Sequence, residues 1–358
     1  MGLASLELID FRSFRSAHFT PDPDGTTVLL APNGTGKTSL LEAVGYLGTG
    51  RSFRGATRET MVRTGADDAY VRATVRADDR EVLIEAQLSR QGRSRMQVNR
   101  EAAKTRRDLA DAVAVTTFAP EDVTVVRGGP SGRRDVLDDA LALLDPSAGV
   151  LLEDVARVLR QRGALLRQLR GRLDAAAAST LDVWDERLSV LGEDLAGRRT
   201  ALADALAPEV AERYRILAAE PVDVGVAYVA SWSGGLTDAL AAARSDDVRR
   251  GVSTIGPHRD DMALTIDGRD ARAQSSQGEQ RSLALAIRIA VHQRVTTARG
   301  RPPLLLLDDV FSELDVGRAA RLLELIPSGQ ALLTTAVPPP PGLERADVVD
   351  VRGLHGAT

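Results

Sequence analysis

A glycine-rich turn set between a short apolar run and an amphipathic one limits the folds open to this chain more than any other feature. Residues 26–31 read as a compact buried strand, and residues 38–47 have helical spacing at Leu40, Leu41, Val44 and Leu47. Between them lies Ala31-Pro-Asn-Gly-Thr-Gly-Lys-Thr38. Strand, turn and helix in that order predict an α/β unit whose turn cradles phosphate oxygens with backbone N–H groups at a helix N-terminus. In that role Ala31, Pro32, Asn33, Gly34, Thr35, Gly36, Lys37, Thr38 and Ser39 contact ATP. Lys37 reaches the β/γ phosphates, and the Thr38 hydroxyl is a ligand for Mg²⁺. The motif's first position is Ala31 rather than glycine, which is tolerable only where φ is negative. A plain glycine turn is the competing reading. Of the 46 basic residues only Lys37 and Lys104 are lysine, so a lysine kept in this turn is not background.

Composition removes several other functions. A net charge of −4 rules out bulk attraction to nucleic acid, so any polyanion must be met by local patches. The absence of cysteine excludes disulfides, thiolate metal sites and thiol nucleophiles, and four histidines leave little from which to build a catalytic zinc. Six Phe, four Tyr and two Trp are too few for an extended base-stacking platform. No apolar stretch approaches the roughly 20 residues of a membrane helix, and the first ten residues have neither the basic lead nor the apolar core of a secretory signal. A cytoplasmic protein without a membrane partner is the expectation.

Along the chain, residues 1–130 read as strands and turns, including period-two alternation over 81–88. Residues 131–250 read as a mainly helical insertion, an antiparallel hairpin interrupted near Pro146, Gly171 and Pro208. Its arms are expected to be short, because no heptad repeat persists. Residues 251–358 resume an α/β pattern, with strands over 304–307 and 331–335, a helix over 316–326, and an extended run over 338–341. The expectation is an ATPase head built from both chain ends around a helical insertion.

Further motifs fit that head. Leu304-Leu-Leu-Leu-Asp-Asp309 predicts a buried strand that brings Asp308 to the Mg²⁺ and Asp309 to the attacking water. Taken alone, it is also a strand ending in a turn-forming Asp. Ser275-Ser-Gln-Gly-Glu-Gln-Arg281 precedes a helix and resembles the ABC-type ATPase signature, which binds the γ-phosphate held by a second subunit. A capping box formed by Ser276 and Glu279 explains the same residues, and the two readings are compatible. Ser312-Glu-Leu-Asp315 resembles the D-loop that crosses such a dimer interface, or a plain helix cap. Thr334 and Thr335 stand where transporters carry a switch histidine, which argues against a transporter subunit.

The order of these motifs resembles the RecF family, SMC-like ABC ATPases of bacterial recombinational repair. Phe11-Arg-Ser-Phe14, Gly50-Arg-Ser-Phe-Arg54, Phe118-Ala-Pro-Glu-Asp122, Pro130-Ser-Gly-Arg-Arg134 and Gly256-Pro-His-Arg-Asp-Asp261 look like family hallmarks. The resemblance implies that Arg12 lies near the phosphates and that Ser276, Gln277, Gly278, Glu279 and Asp315 serve ATP held by the partner of a homodimer. It places Asp309 at the catalytic position, one methylene shorter than the usual Glu, so slow hydrolysis is expected, with Lys37 as its companion. Glu121 and Asp122 fall where a glutamine belongs. The implied function is ATP-driven clamping of duplex DNA near single/double-strand junctions in gap repair, with RecR and RecO as partners. A nucleotide switch with negligible hydrolysis is the alternative. Two arginine-rich stretches are candidate DNA surfaces: Arg93, Arg95, Lys104, Arg106 and Arg107, and Arg160, Arg162 and Arg167. A solvated surface accounts for each equally well.

Overall fold

The computed structural model describes residues 2–77, 80–312, 314–339 and 341–354. The chain forms two compact units: Met1–Asp122, Arg215–Glu220 and Ala284–Thr358 make one, Val123–Tyr214 and Pro221–Leu283 the other.

The first unit holds two sheets. Five parallel strands run in the order Asp347–Asp350, Thr26–Leu30, Ala331–Thr335, Leu304–Asp308, Val115–Phe118. The two central strands are buried at every position, as strands covered on both faces must be. The second sheet is antiparallel, in the order Phe14–Phe19, Gly2–Phe11, Asp68–Ala77, Arg80–Ser89, Arg95–Val98, Glu101–Ala102. It alternates: Val71, Ala73 and Val75 point inward, whereas Arg72 and Arg76 face solvent. The helix Lys37–Thr49 shares a single apolar core with both sheets through Leu40, Leu41, Val44 and Leu47. Burying each of these side chains stabilises the unit by about 1.5–3 kcal/mol. A Cβ on Gly48 would lie 2.6 Å from Val115 Cγ2, so the helix packs this closely only with glycine there. Because the strands are parallel, their C-terminal ends share one edge, where a ligand crevice of an α/β sheet forms.

The second unit is built from helices and a small sheet. The helices Pro146–Leu169 and Ala175–Ala218 are antiparallel, since Val158 shares a core cluster with Leu188 and Leu166 with Leu181. Leu236, Leu240 and Val248 of the helix Leu236–Arg250 complete those clusters. The hairpin is as expected, but its second arm is not short. That helix runs for 44 residues, about 66 Å at 1.5 Å per residue, and continues through Pro208. Buried Ala203, Leu206, Val210 and Leu217 supply a packed face on both sides of the proline, and tertiary burial outweighs the local breaker.

The units divide the chain elsewhere than at 130/131 and 250/251. The strand Asp261–Ile266 pairs with Val224–Val229 and Arg269–Asp270, so the stretch up to Leu283 folds with the helices. The signature segment therefore belongs to the second unit.

Candidate functional site

At the shared strand edge, the turn after Thr26–Leu30 carries Gly34 at φ 84° and Gly36 at φ 99°, conformations that favour glycine. A Cβ on Gly36 would fall 2.8 Å from the Phe14 ring and 2.9 Å from Ser13 Oγ, so the segment Phe11-Arg-Ser-Phe14 packs directly on the turn. Ala31 is absent from the positive-φ residues, which is why alanine serves in place of glycine. Gly36 caps the helix without any side-chain hydrogen bond, leaving the first-turn N–H groups for an anion.

Lys37 is buried and curls back along its own turn, donating from Nζ to Ala31 O at 2.6 Å, Pro32 O at 3.0 Å and Asn33 Oδ1 at 3.3 Å. Burial lowers its pKa, and the nearby Asp309 and Asp308 carboxylates oppose that shift. Thr38 Oγ1 donates to Asp308 Oδ1 at 2.8 Å, joining two positions that are 270 residues apart. Burial pushes the Asp308 pKa up, while hydrogen bonds from Thr334 and Thr38 pull it back. Asp309 sits in the left-handed region at φ 48°, and its buried Oδ1 has no hydrogen-bond partner among the described residues. Lys37, Thr38, Asp308 and Asp309 thus meet at one place, as their motifs predict.

Arg12 is held differently from a free phosphate ligand. Its Nε and Nη2 fork onto Glu42 at 2.7 and 2.6 Å, and Nη1 donates to Thr60 O at 2.9 Å. Glu42 is fully buried on the helix after the turn and also accepts the Ser52 hydroxyl. Two hallmark segments, around Arg12 and Ser52, are therefore tied together through one carboxylate that the sequence reading missed. The available signal was a charge within Leu40-Leu-Glu-Ala-Val44, since a buried carboxylate demands a cationic partner. Asp122 accepts from Ala119 N at 2.8 Å and pairs with Arg288 at 2.6 Å, and Glu121 faces Arg54 at 3.8 Å.

In the second unit, Ser276 and Glu279 form the capping box: Ser276 N donates to Glu279 Oε2 at 2.7 Å, and Glu279 N to Ser276 Oγ at 3.2 Å. Those bonds lower the Glu279 pKa. Gln277 is exposed and Gly278 half-buried beside them. Two hallmarks that sequence left without chemistry prove to be mates. Arg133 grips Asp261 at 2.6 and 2.8 Å, and Arg134 donates to Asp260 O at 2.6 Å. In the first unit, Asp315 caps the helix Val316–Leu325, accepting from Arg318 N at 2.8 Å. Glu313 of that segment and Pro340 of the proline run lie outside the described residues.

The candidate DNA residues separate. Arg93, Arg95, Lys104, Arg106 and Arg107 are exposed, as are Arg160 and Arg167. Arg162 is not: it is 0% exposed and donates to Asp185 at 2.6 Å and Asp247 at 2.7 Å. Its assignment to a DNA surface is corrected to an internal ion pair.

Among the described residues no helix is long and apolar enough to cross a membrane. The family model of the RecF/RecN/SMC N terminal domain matches residues 2–336. The DNA replication and repair protein RecF of Frankia alni is 41% identical over 356 residues, covering 94% of each chain. That of Streptomyces avermitilis is 39% identical, covering 94% of this chain and 93% of its own. A solved structure described as the recombination mediator protein RecF with ATP in the RecFOR pathway gives a TM-score of 0.86 at 27% identity, over 94% of this chain and 92% of that one. The fold is that of an SMC/RecF ABC-type ATPase head. Matched by that family model over most of its length and by these relatives nearly end to end, the chain belongs to the RecF/RecN/SMC family, and within it to the RecF proteins of DNA replication and repair.

Proposed function

We propose that this protein binds ATP with Mg²⁺, closes as a head-to-head homodimer on duplex DNA near single/double-strand junctions, and is reset by slow hydrolysis. The observation that carries the reading is the junction of Lys37, Thr38 and Asp308 at the C-terminal edge of the parallel sheet. The Thr38 hydroxyl and the Asp308 carboxylate are hard oxygen donors 2.8 Å apart, a set that suits Mg²⁺. Bound there, the ion would neutralise charge on the triphosphate. Lys37 gives up its carbonyl partners to the β/γ phosphates, and the uncapped first turn receives phosphate oxygens. Asp309, whose Oδ1 lacks a partner among the described residues, holds the attacking water and takes its proton. Ser276 to Glu279 and Asp315 act on the nucleotide of the second copy. The solved relative is described with ATP in the RecFOR pathway, which supports the nucleotide here and RecR and RecO as partners. The protein then works in the cytoplasm, where the DNA is.

Asp309 is one methylene shorter than the usual Glu, and this favours a second reading, a switch that turns over negligibly. Turnover that ignores DNA while ATP still drives dimerisation selects that reading. Sedimentation tests the proposal itself. Lys37→Ala is expected to abolish ATP-driven dimerisation, and Ser276→Arg to abolish it while monomer ATP binding survives. Normal dimerisation of Lys37→Ala, or lost monomer binding in Ser276→Arg, sinks the assignment.

A further inference from the structure

Thr334 is the penultimate residue of the strand Ala331–Thr335, which lies between the strand that leads into the phosphate turn and the strand that delivers Asp308. Its side chain is completely buried. The Oγ1 hydrogen is donated to Asp308 Oδ1 at 2.7 Å, and the same oxygen accepts the Asp309 backbone N–H at 2.9 Å. A single hydroxyl thus holds the side chain of one carboxylate and the backbone of the other. Asp308 Oδ1 accepts from Thr38 as well, so two hydroxyls, one on the adjacent strand and one on the helix after the phosphate turn, fix that carboxylate in place. At Asp309 the chain leaves the strand at φ 48°, a conformation an L-residue keeps only when its surroundings enforce it. The Thr334 bond to Asp309 N is one such enforcement, and it sets where the Asp309 carboxyl emerges.

We infer that Thr334 is a positioning residue for the ATP site: it presets Asp308 toward the metal and Asp309 toward the attacking water, though it touches neither nucleotide nor water itself. The inference rests on the ATP reading above. Histidine is what a transporter carries at this point of the chain, and threonine here does its work through two hydrogen bonds on the interior side of the carboxylates.

Valine keeps the shape of threonine and removes both bonds, whereas serine keeps both. Thr334→Val is expected to raise the Mg²⁺ concentration for half-maximal ATP-driven dimerisation by about tenfold, and to cut turnover by about 10–100-fold with KM for ATP within about twofold. Thr334→Ser is expected to restore both to near wild type. Binding of a fluorescent ATP analogue to the unsubstituted protein separates the two readings: no binding means the ATP site itself is wrong. If ATP binds and Thr334→Val shows the wild-type Mg²⁺ midpoint, or if Thr334→Ser fails to rescue it, the positioning role is wrong while the ATP site stands. Should wild-type turnover lie below detection, the Mg²⁺ midpoint alone decides.

Discussion

Two arginine-rich stretches, one in each unit, look alike as sequence and differ as structure. In residues 90–107 the cations Arg93, Arg95, Arg100, Lys104, Arg106 and Arg107 are all exposed, Arg107 beside Asp111 at 3.3 Å, and only Arg90, at the start, turns inward to donate to Val62 O, Arg63 O and Ala66 O. In residues 157–172 the cations are carried mostly by one helix, and they part company: Arg160 and Arg167 face water, Arg157 pairs with Asp154 at 2.8 Å, and Arg162 is sealed inside. Density of charge is the same kind of signal in both. What distinguishes them is periodicity. Val155, Val158, Arg162 and Leu166 share the buried face of the helix Pro146–Leu169, so Arg162 stands at a core position of an otherwise apolar stripe. The strand-and-turn patch keeps a run of charges from Arg93 to Arg107 at the surface and ties in only Arg90, whereas a helix hides whichever charge falls on its packed side.

The largest effect expected from this contrast is at Arg162. Its removal leaves Asp247, fully buried, and Asp185, nearly so, without their shared partner, although Arg244 still bonds Asp185 at 2.7 Å. Stranding a buried charge costs about 3–5 kcal/mol, and we expect Arg162→Ala to destabilise the helical unit by that amount in denaturant unfolding. The salt dependence of DNA binding per folded molecule is expected to stay unchanged. A loss under about 1 kcal/mol, small against the penalty for a stranded buried ion, would show that Arg162 is not the internal tie described here.

Exposed charges act through the slope instead. Arg93→Glu with Arg95→Glu leaves the core of the antiparallel sheet intact, and each lost phosphate contact lowers the slope of log affinity against log salt by about 0.9. A drop of about two in that slope is expected for the pair, read by duplex titration at several salt concentrations. No change in slope would make this patch a solvated surface, and the contrast between the two stretches would then reduce to burial alone.

How much of this was legible beforehand depends on how local each cause is. The phosphate turn could be read because strand, glycines, lysine and helix lie within a few residues of each other, and the capping box of Ser276 and Glu279 because a cap spans only three. Asp308 was readable from its place at the end of four leucines. Glu42, Thr334 and Arg162 were not, for one shared reason: each is defined by partners far along the chain. Arg12 lies 30 residues from Glu42, Asp308 26 from Thr334, and Asp247 85 from Arg162. The boundary of the helical unit failed for the same reason, since it rests on pairing between Val224–Val229 and Asp261–Ile266 and on the grip of Arg133 on Asp261. A buried carboxylate or hydroxyl advertises that it needs a partner; the sequence does not say which.

The smallest effect is expected where the second stretch keeps only part of its charge for solvent. Arg160 and Arg167 lie two turns apart on the exposed side of their helix, while Arg162 and Arg157 are committed to aspartates. Reversing both to Glu is therefore expected to flatten the salt slope by about one, half the effect at Arg93 and Arg95, because fewer neighbouring cations hold phosphate in register beside them. Stability is expected to move by no more than about 0.5 kcal/mol, the usual range for surface changes. A slope change equal to or larger than that of the first pair would reverse the ranking: the helical stretch would then be the main contact with duplex, and the buried Arg162 would be the scaffold that holds its outer charges rather than a charge lost to the surface.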